Sequence, residues 1–236
     1  MKGLALVPTL LLLLLSSREC FAADVDVFLQ QSWVLGSTRT TLAKDALKFE
    51  MLDKQAMLLS TAPSWQLIYI NNLKKCYSIC APEKFKLKFA YTNALFRPSA
   101  TNAMHVRGFS KSTVSGFACT KVTLAETETN TDASKGRTWE GLLAKSADLC
   151  VAEDYPLPIS KAVDQCFSIA TVKGIPLTMT VTKHNGSKNE EIKVMSYKKR
   201  PRSANDFAIP KSFKMVASPE EAAKSTADED MQELFH

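Results

Sequence analysis

Histidine is scarce in this 236-residue chain, and the three present (His105, His184 and His236) fall in no metal-binding or triad spacing. There is no GxSxG elbow, no HExxH helix and no phosphate-cradling glycine loop, so catalysis has no motif to stand on. Asp24 and Asp26 straddle Val25 near the start of the folded body, a poor setting for a paired acid and base. The chain therefore reads as non-catalytic, with no cofactor. The six cysteines contain no CxxC pair, and no histidine lies near Cys76 and Cys80, which argues against a zinc site. Beyond residue 15 no long apolar run occurs, so no transmembrane bundle is expected downstream. Internal repeats are absent as well.

What the chain does have begins at its first residues. Met1-Lys2-Gly3 makes a short positive head, residues 4–15 are almost wholly apolar, and residues 16–22 form a polar, small-residue exit. That is the three-part layout of a secretory signal peptide, cut after Ala22. The apolar run is shorter than the ~20 residues of a membrane-spanning helix. Arg18 and Glu19 stand before Cys20, where a lipid-modification box needs small residues. The expectation is a protein exported to the periplasm or the extracellular space. Residues 1–22 form the leader, residues 23–217 one domain, and residues 218–236 an acidic, flexible tail.

Without the leader, 28 basic and 23 acidic side chains remain, unevenly distributed. The last 19 residues hold six acids and one lysine, so the body carries a clear positive excess suited to anionic partners. The mature chain keeps Cys76, Cys80, Cys119, Cys150 and Cys166. Export would expose them to oxidising conditions, allowing up to two disulfides and one odd thiol, with the pairing open. Cys76 and Cys80, four apart on one strand, would be ~13 Å apart and unable to bond each other.

Most of the body reads as strand and turn. Residues 25–35 are rich in Val, Phe, Leu and Trp, and Leu47, Phe49 and Met51 alternate with Lys48 and Glu50. Asp53-Lys54-Gln55 turns into residues 56–60; residues 65–70 form a strand, and Asn71-Asn72 turns toward residues 75–79. Residues 82–91 suit a helix, with Pro82 at its start and Phe85 and Phe89 on one face. Residues 97–107 read as loop. Strand signals return at 112–125, where Gly116 marks a bulge, and at 137–149. Residues 158–170 form a second amphipathic helix. Ile175, Leu177, Met179 and Val181 alternate with polar or small residues, and Asn185-Gly186 is the best hairpin signal in the chain. The pattern predicts an α+β fold of eight to ten strands, a curved antiparallel sheet whose concave face is covered by two helices.

Residues 48–51, residues 62–65 with Asn71 and Lys75-Cys76-Tyr77, and the glycine-to-cysteine stretch at 116–121 follow one another in a familiar order. Trp139, residues 156–170, residues 174–177 and residues 206–210 continue it. This order resembles the LolA/LolB-like lipoprotein-carrier superfamily over about residues 25–216. The resemblance implies a half-barrel with helices plugging its open side and an acyl chain held in the hollow. The arginine with which such carriers hold their lid closed has no clear counterpart here.

Candidate binding residues follow from both readings. Phe49, Met51, Met57, Leu59, Trp65, Leu67 and Tyr69 would line the hollow, with Phe85 and Phe167 contributed by the lids. Each buried acyl methylene contributes about 0.8 kcal/mol, so a long chain binds without specific polar contacts. The same alternation also suits an ordinary filled core. Lys198, Lys199, Arg200 and Arg202 form the densest basic run, suited to acidic headgroups, anionic envelope polymer or an acidic protein. No aromatic platform accompanies that run, which argues against a dedicated nucleic-acid binder. The expected function is a carrier or binding protein for an acyl chain, lipid or lipidated peptide. The alternative is a basic-surface interaction module.

Overall fold

In a computed structural model of the chain, the structure describes residues 24–33, 35–85, 104–126, 144–153 and 174–223. Twelve strands follow in chain order: β1 (Asp24–Ser32), β2 (Gly36–Ala43), β3 (Ala46–Met51), β4 (Ala56–Thr61), β5 (Leu67–Asn71), β6 (Cys76–Cys80), β7 (Met104–Val114), β8 (Phe117–Glu126), β9 (Ala144–Ala152), β10 (Ile175–Lys183), β11 (Lys188–Pro201) and β12 (Lys214–Met215). One short helix, α1 (Pro219–Ala223), ends the described chain. All strands join one curved, unclosed sheet in the order β12-β6-β5-β4-β3-β2-β1-β11-β10-β9-β8-β7. Every pairing is antiparallel except that of β12 with β6.

Curvature can be measured from two rings. Phe28 on β1 and Phe117 on β8 are four strands apart, which in a flat sheet is ~19 Å. Their ring centroids are only 5.0 Å apart, so the sheet folds back on itself. The bend lies at β11, which pairs with β10 over Lys188–Ile192 and with β1 over Ile192–Pro201. Both pairings contain a register shift, and such bulges bend a strand and tighten its twist. Tyr197, stacked on Phe28 at 4.9 Å and edge-on to Phe117 at 5.4 Å, fills the crease.

Gln30 pins the same place. Its side chain is 1 % exposed and spans β11 to donate from Nε2 to the carbonyls of Pro176 (3.2 Å) and Leu177 (2.9 Å) on β10. Its Oε1 accepts from Thr40 Oγ1 at 2.6 Å. A buried amide here satisfies carbonyls at the end of β10 where the β10–β11 ladder has stopped.

Several sequence expectations hold. The Asn185-Gly186 hairpin joins β10 to β11, with Gly186 at φ 84° and Gly186 N–H donating to the Lys183 carbonyl at 2.9 Å. Turns at Leu52–Gln55 and after Asn71 are also in place. Others are corrected. Gly116 is no bulge: with Ser115 (φ 51°) it makes a two-residue turn at φ 86°, the left-handed geometry of a tight hairpin. β7 begins at Met104, inside the stretch read as loop, and β5 begins at Leu67, leaving Trp65 in the preceding turn at φ 49°. The sequence reading missed β2, because its inward positions Thr38 and Thr40 are hydroxyls and give no apolar alternation.

The helical cover expected over the sheet is not shown. At the first helix position the chain makes a single 3-10 turn, Pro82–Lys84, and Phe85 is already extended. Residues 86–91, the second helix at 158–170, Trp139 and the leader lie outside the described residues. α1 packs against β5 and β6, held by Asn71 Nδ2 donating to the Ala222 carbonyl (2.9 Å) and by a Ser218–Glu221 cap. The disulfides that the sequence allows are not formed among the described residues, where Cys76, Cys80, Cys119 and Cys150 are not disulfide-bonded.

Candidate functional site

The first six strands pair in chain order, and their registers decide which side chains share a face. Phe28, Thr40, Phe49, Leu58, Tyr69 and Ser78 stand opposite one another in a row across β1–β6. A second row holds Gln30, Thr38, Met51, Ala56, Asn71 and Cys76, and a third Leu42, Leu47, Ser60, Leu67 and Cys80. These rows form the inner face. The apolar members belong to one continuous cluster that also takes in Leu149, Val151, Leu177 and Met179 from across the crease.

Of the expected lining residues, Phe49, Met51, Leu67 and Tyr69 lie on this face, all at most 2 % exposed. Phe85 is fully buried and packs on Tyr69 with centroids 6.3 Å apart. Met57 and Leu59 do not join them. The four-residue turn Leu52–Gln55 pairs Met51 with Ala56, so odd positions of β3 share a face with even positions of β4. Met57 therefore stands opposite Glu50 and Leu59 opposite Lys48 on the outer face, and Leu58 takes the inner place. Trp65 is half-buried in the β4–β5 turn, off the rows, and Phe167 lies outside the described residues.

The inner face is not purely apolar. Thr38, Ser60 and Ser78 are fully buried, and their hydroxyls have no hydrogen-bond partner among the described residues. Each sits in a different row beside a large apolar neighbour: Met51 beside Thr38, Leu47 beside Ser60, Tyr69 beside Ser78. An unpaired buried hydroxyl costs about 1–3 kcal/mol, and native structures normally avoid that cost with a protein or water partner. Sequence reading had no signal for these three beyond small polar residues inside strands.

The basic run is largely committed to the outer face. After β11 the chain returns to β12 at the β6 edge, passing over the outer face of β1–β3. Phe207 packs there on Val25, Val27, Ala43 and Ala46. Arg200 grips Asp206 with two bonds of 2.7 and 2.6 Å, and that guanidinium holds the Asp206 carboxyl below the usual range. Arg202 pairs with Asp45 at 2.6 Å, which lowers the Asp45 carboxyl, and lies 4.7 Å over the Phe207 ring. Lys199 reaches Asp24 at 3.8 Å. Lys198 alone of the four has no carboxylate partner among the described residues.

At the β7 edge a shallow open pocket of about 270 Å³ is lined by Phe109, Ser110, Lys111, Thr120 and Glu153. Thr120 Oγ1 donates to Glu153 Oε2 at 2.8 Å, and Phe109 is 67 % exposed. No group of three or more metal-ligating side chains gathers among the described residues.

No family model and no curated protein matches the chain. Among solved structures, an uncharacterized conserved protein from Thermus thermophilus is 8 % identical, with a TM-score of 0.33, over 84 % of this chain and 91 % of that one. MucB in complex with MucA(peri) is 10 % identical, with a TM-score of 0.36, over 83 % of this chain. The Pseudomonas aeruginosa MucA/MucB complex is 9 % identical, with a TM-score of 0.31, over 88 %. The chain spans 57 % of the matched chain in each of these two complexes. At such scores the likenesses assign no function to this chain.

Proposed function

We propose that this chain is an exported, non-catalytic binding protein that holds an acyl chain, lipid or lipidated peptide against the inner face of its curved sheet. The observation that carries the reading is the mixture on that face. Large apolar side chains alternate with three buried hydroxyls that lack partners among the described residues, Thr38, Ser60 and Ser78. A core sealed by its own side chains leaves such hydroxyls at a net cost, whereas an amphiphile brings both methylenes for Phe49, Met51 and Tyr69 and acceptors for the hydroxyls. Export rests on the leader-like residues 1–22.

The alternative, a basic surface for anionic polymer or an acidic partner, has less to draw on, because Arg200 and Arg202 already hold Asp206 and Asp45. The test is native mass spectrometry of the purified chain together with titration by cis-parinaric acid. Lipid adducts and saturable fluorescence are expected. Thr38→Val with Ser60→Ala and Ser78→Ala should weaken the probe at least threefold without loss of stability. Ligand-free protein that ignores the probe, and is merely stabilised by the triple substitution, would sink this reading.

A further inference from the structure

Two thiols lie side by side on the far half of the sheet. Lys121 of β8 stands opposite Cys150 of β9, so Cys119 and Cys150 occupy diagonal positions on one face. Ser112 of β7 is directly opposite Cys119, and Cys150 Sγ lies 3.9 Å from Ser112 Oγ. Both thiols are free and share Ser112 as a neighbour. Their exposures differ: Cys119 is 8 % exposed, while Cys150 is only partly buried. Burial, and then the neighbouring Cys150, push the Cys119 thiol up to about 12. Cys119 by itself is therefore a poor nucleophile, and the more accessible Cys150 is the point of attack.

We propose that Cys119 and Cys150 form a reversible dithiol–disulfide site that staples β8 to β9 and is oxidised by small-molecule disulfides such as oxidised glutathione. Cys150 loses its proton to solvent, and its thiolate attacks one sulfur of the glutathione disulfide. That S–S bond breaks, one glutathione leaves as thiolate and is protonated, and a mixed disulfide remains on Cys150. The Cys119 sulfur then attacks the Cys150 sulfur as its proton passes to the departing second glutathione. Two electrons move from the protein thiols to glutathione disulfide, and one intramolecular S–S bond of about 2.05 Å is formed. The bond closes a loop from Cys119 to Cys150 that contains the whole β8–β9 connection. The proposal does not rest on the inner-face reading: neither cysteine belongs to the β1–β6 rows, although both adjoin the same apolar cluster.

The experiment is peptide mapping of the reduced, folded full chain after exposure to oxidised glutathione. Trypsin should release residues 112–121 joined to residues 146–161, two hydrogens lighter than the separate peptides. Cys119→Ser should trap glutathione on Cys150, and Cys150→Ser should leave Cys119 unmodified. The oxidised wild type should melt about 5–10 °C higher than the reduced protein. A persistent glutathione adduct on Cys150 in the wild type would overturn the proposal. So would a bond from Cys150 to Cys76, Cys80 or Cys166, linkage only in denaturant, or an unchanged melting temperature.

Discussion

From β1 to β6 the strands pair in chain order with unbroken registers, whereas every pairing of β10 and β11, and that of β7 with β8, contains a register shift. The first half is joined by turns of two to five residues, which leave neighbouring strands only one register. It supplies a regular inner face of three rows. The second half absorbs the curvature: its bulges let β11 change partners and bring Phe117 against Phe28. A regular sheet presents a surface, and an irregular one folds that surface over. The inner-face rows and the Cys119–Cys150 pair thus sit in parts of the sheet with different mechanical duties.

The contrast is broken most sharply by truncating one large ring in each half. Phe49→Ala empties a fully buried position and should cost about 3–5 kcal/mol in urea unfolding. Phe109→Ala, at a position 67 % exposed, should change the midpoint by less than about 0.5 kcal/mol. Equal losses would show that the two halves do not differ in packing.

Gln30→Leu addresses the join itself. It strips donors from the Pro176 and Leu177 carbonyls and the acceptor from Thr40, and should cost about 2–3 kcal/mol. Amide exchange should rise first at the N-terminal end of β10; uniform exchange across the sheet would mean that the amide does not pin the crease.

The smallest of the three destabilising effects is expected on the outer face. Arg200 holds the Asp206 pKa below its unfolded value, so this stabilisation is complete above pH ~4 and fades as pH falls through the folded value. Asp206→Asn should cost about 1.5 kcal/mol at neutral pH and nothing once the wild-type carboxyl is protonated. Urea midpoints measured for both proteins from pH 7 to pH 2 give the comparison. A difference that stays constant with pH would assign the loss to packing of the return segment rather than to the ion pair.

Much of this was legible from residues alone, and the failures have specific causes. The alternations at Leu47–Phe49–Met51 and Ile175–Val181 marked strands, because burial on one face demands period two. Asn185-Gly186 marked its hairpin because glycine accepts the positive φ that such a turn needs, here 84° at Gly186. β2 escaped detection because Thr38 and Thr40 turn hydroxyls inward. Met57 and Leu59 were given the wrong face because alternation within a strand does not say how a turn of four residues shifts parity to the next. The basic run suggested a ligand site because a sequence does not show that Asp45 and Asp206 would come to meet it.

The amino-acid order by itself determined the local matters: which segments extend, where the tight hairpins fall, and that the body is built mainly of strands, since these depend on neighbours within a few positions. Tertiary structure alone decided what lies beside what. The pairing of β1 with β11, the crease at Tyr197, the row that sets Ser78 beside Tyr69, and the meeting of Cys119 with Cys150 join residues far apart in the chain. Those juxtapositions follow from strand order and register, which are settled by burying one shared face and not by any short stretch of sequence.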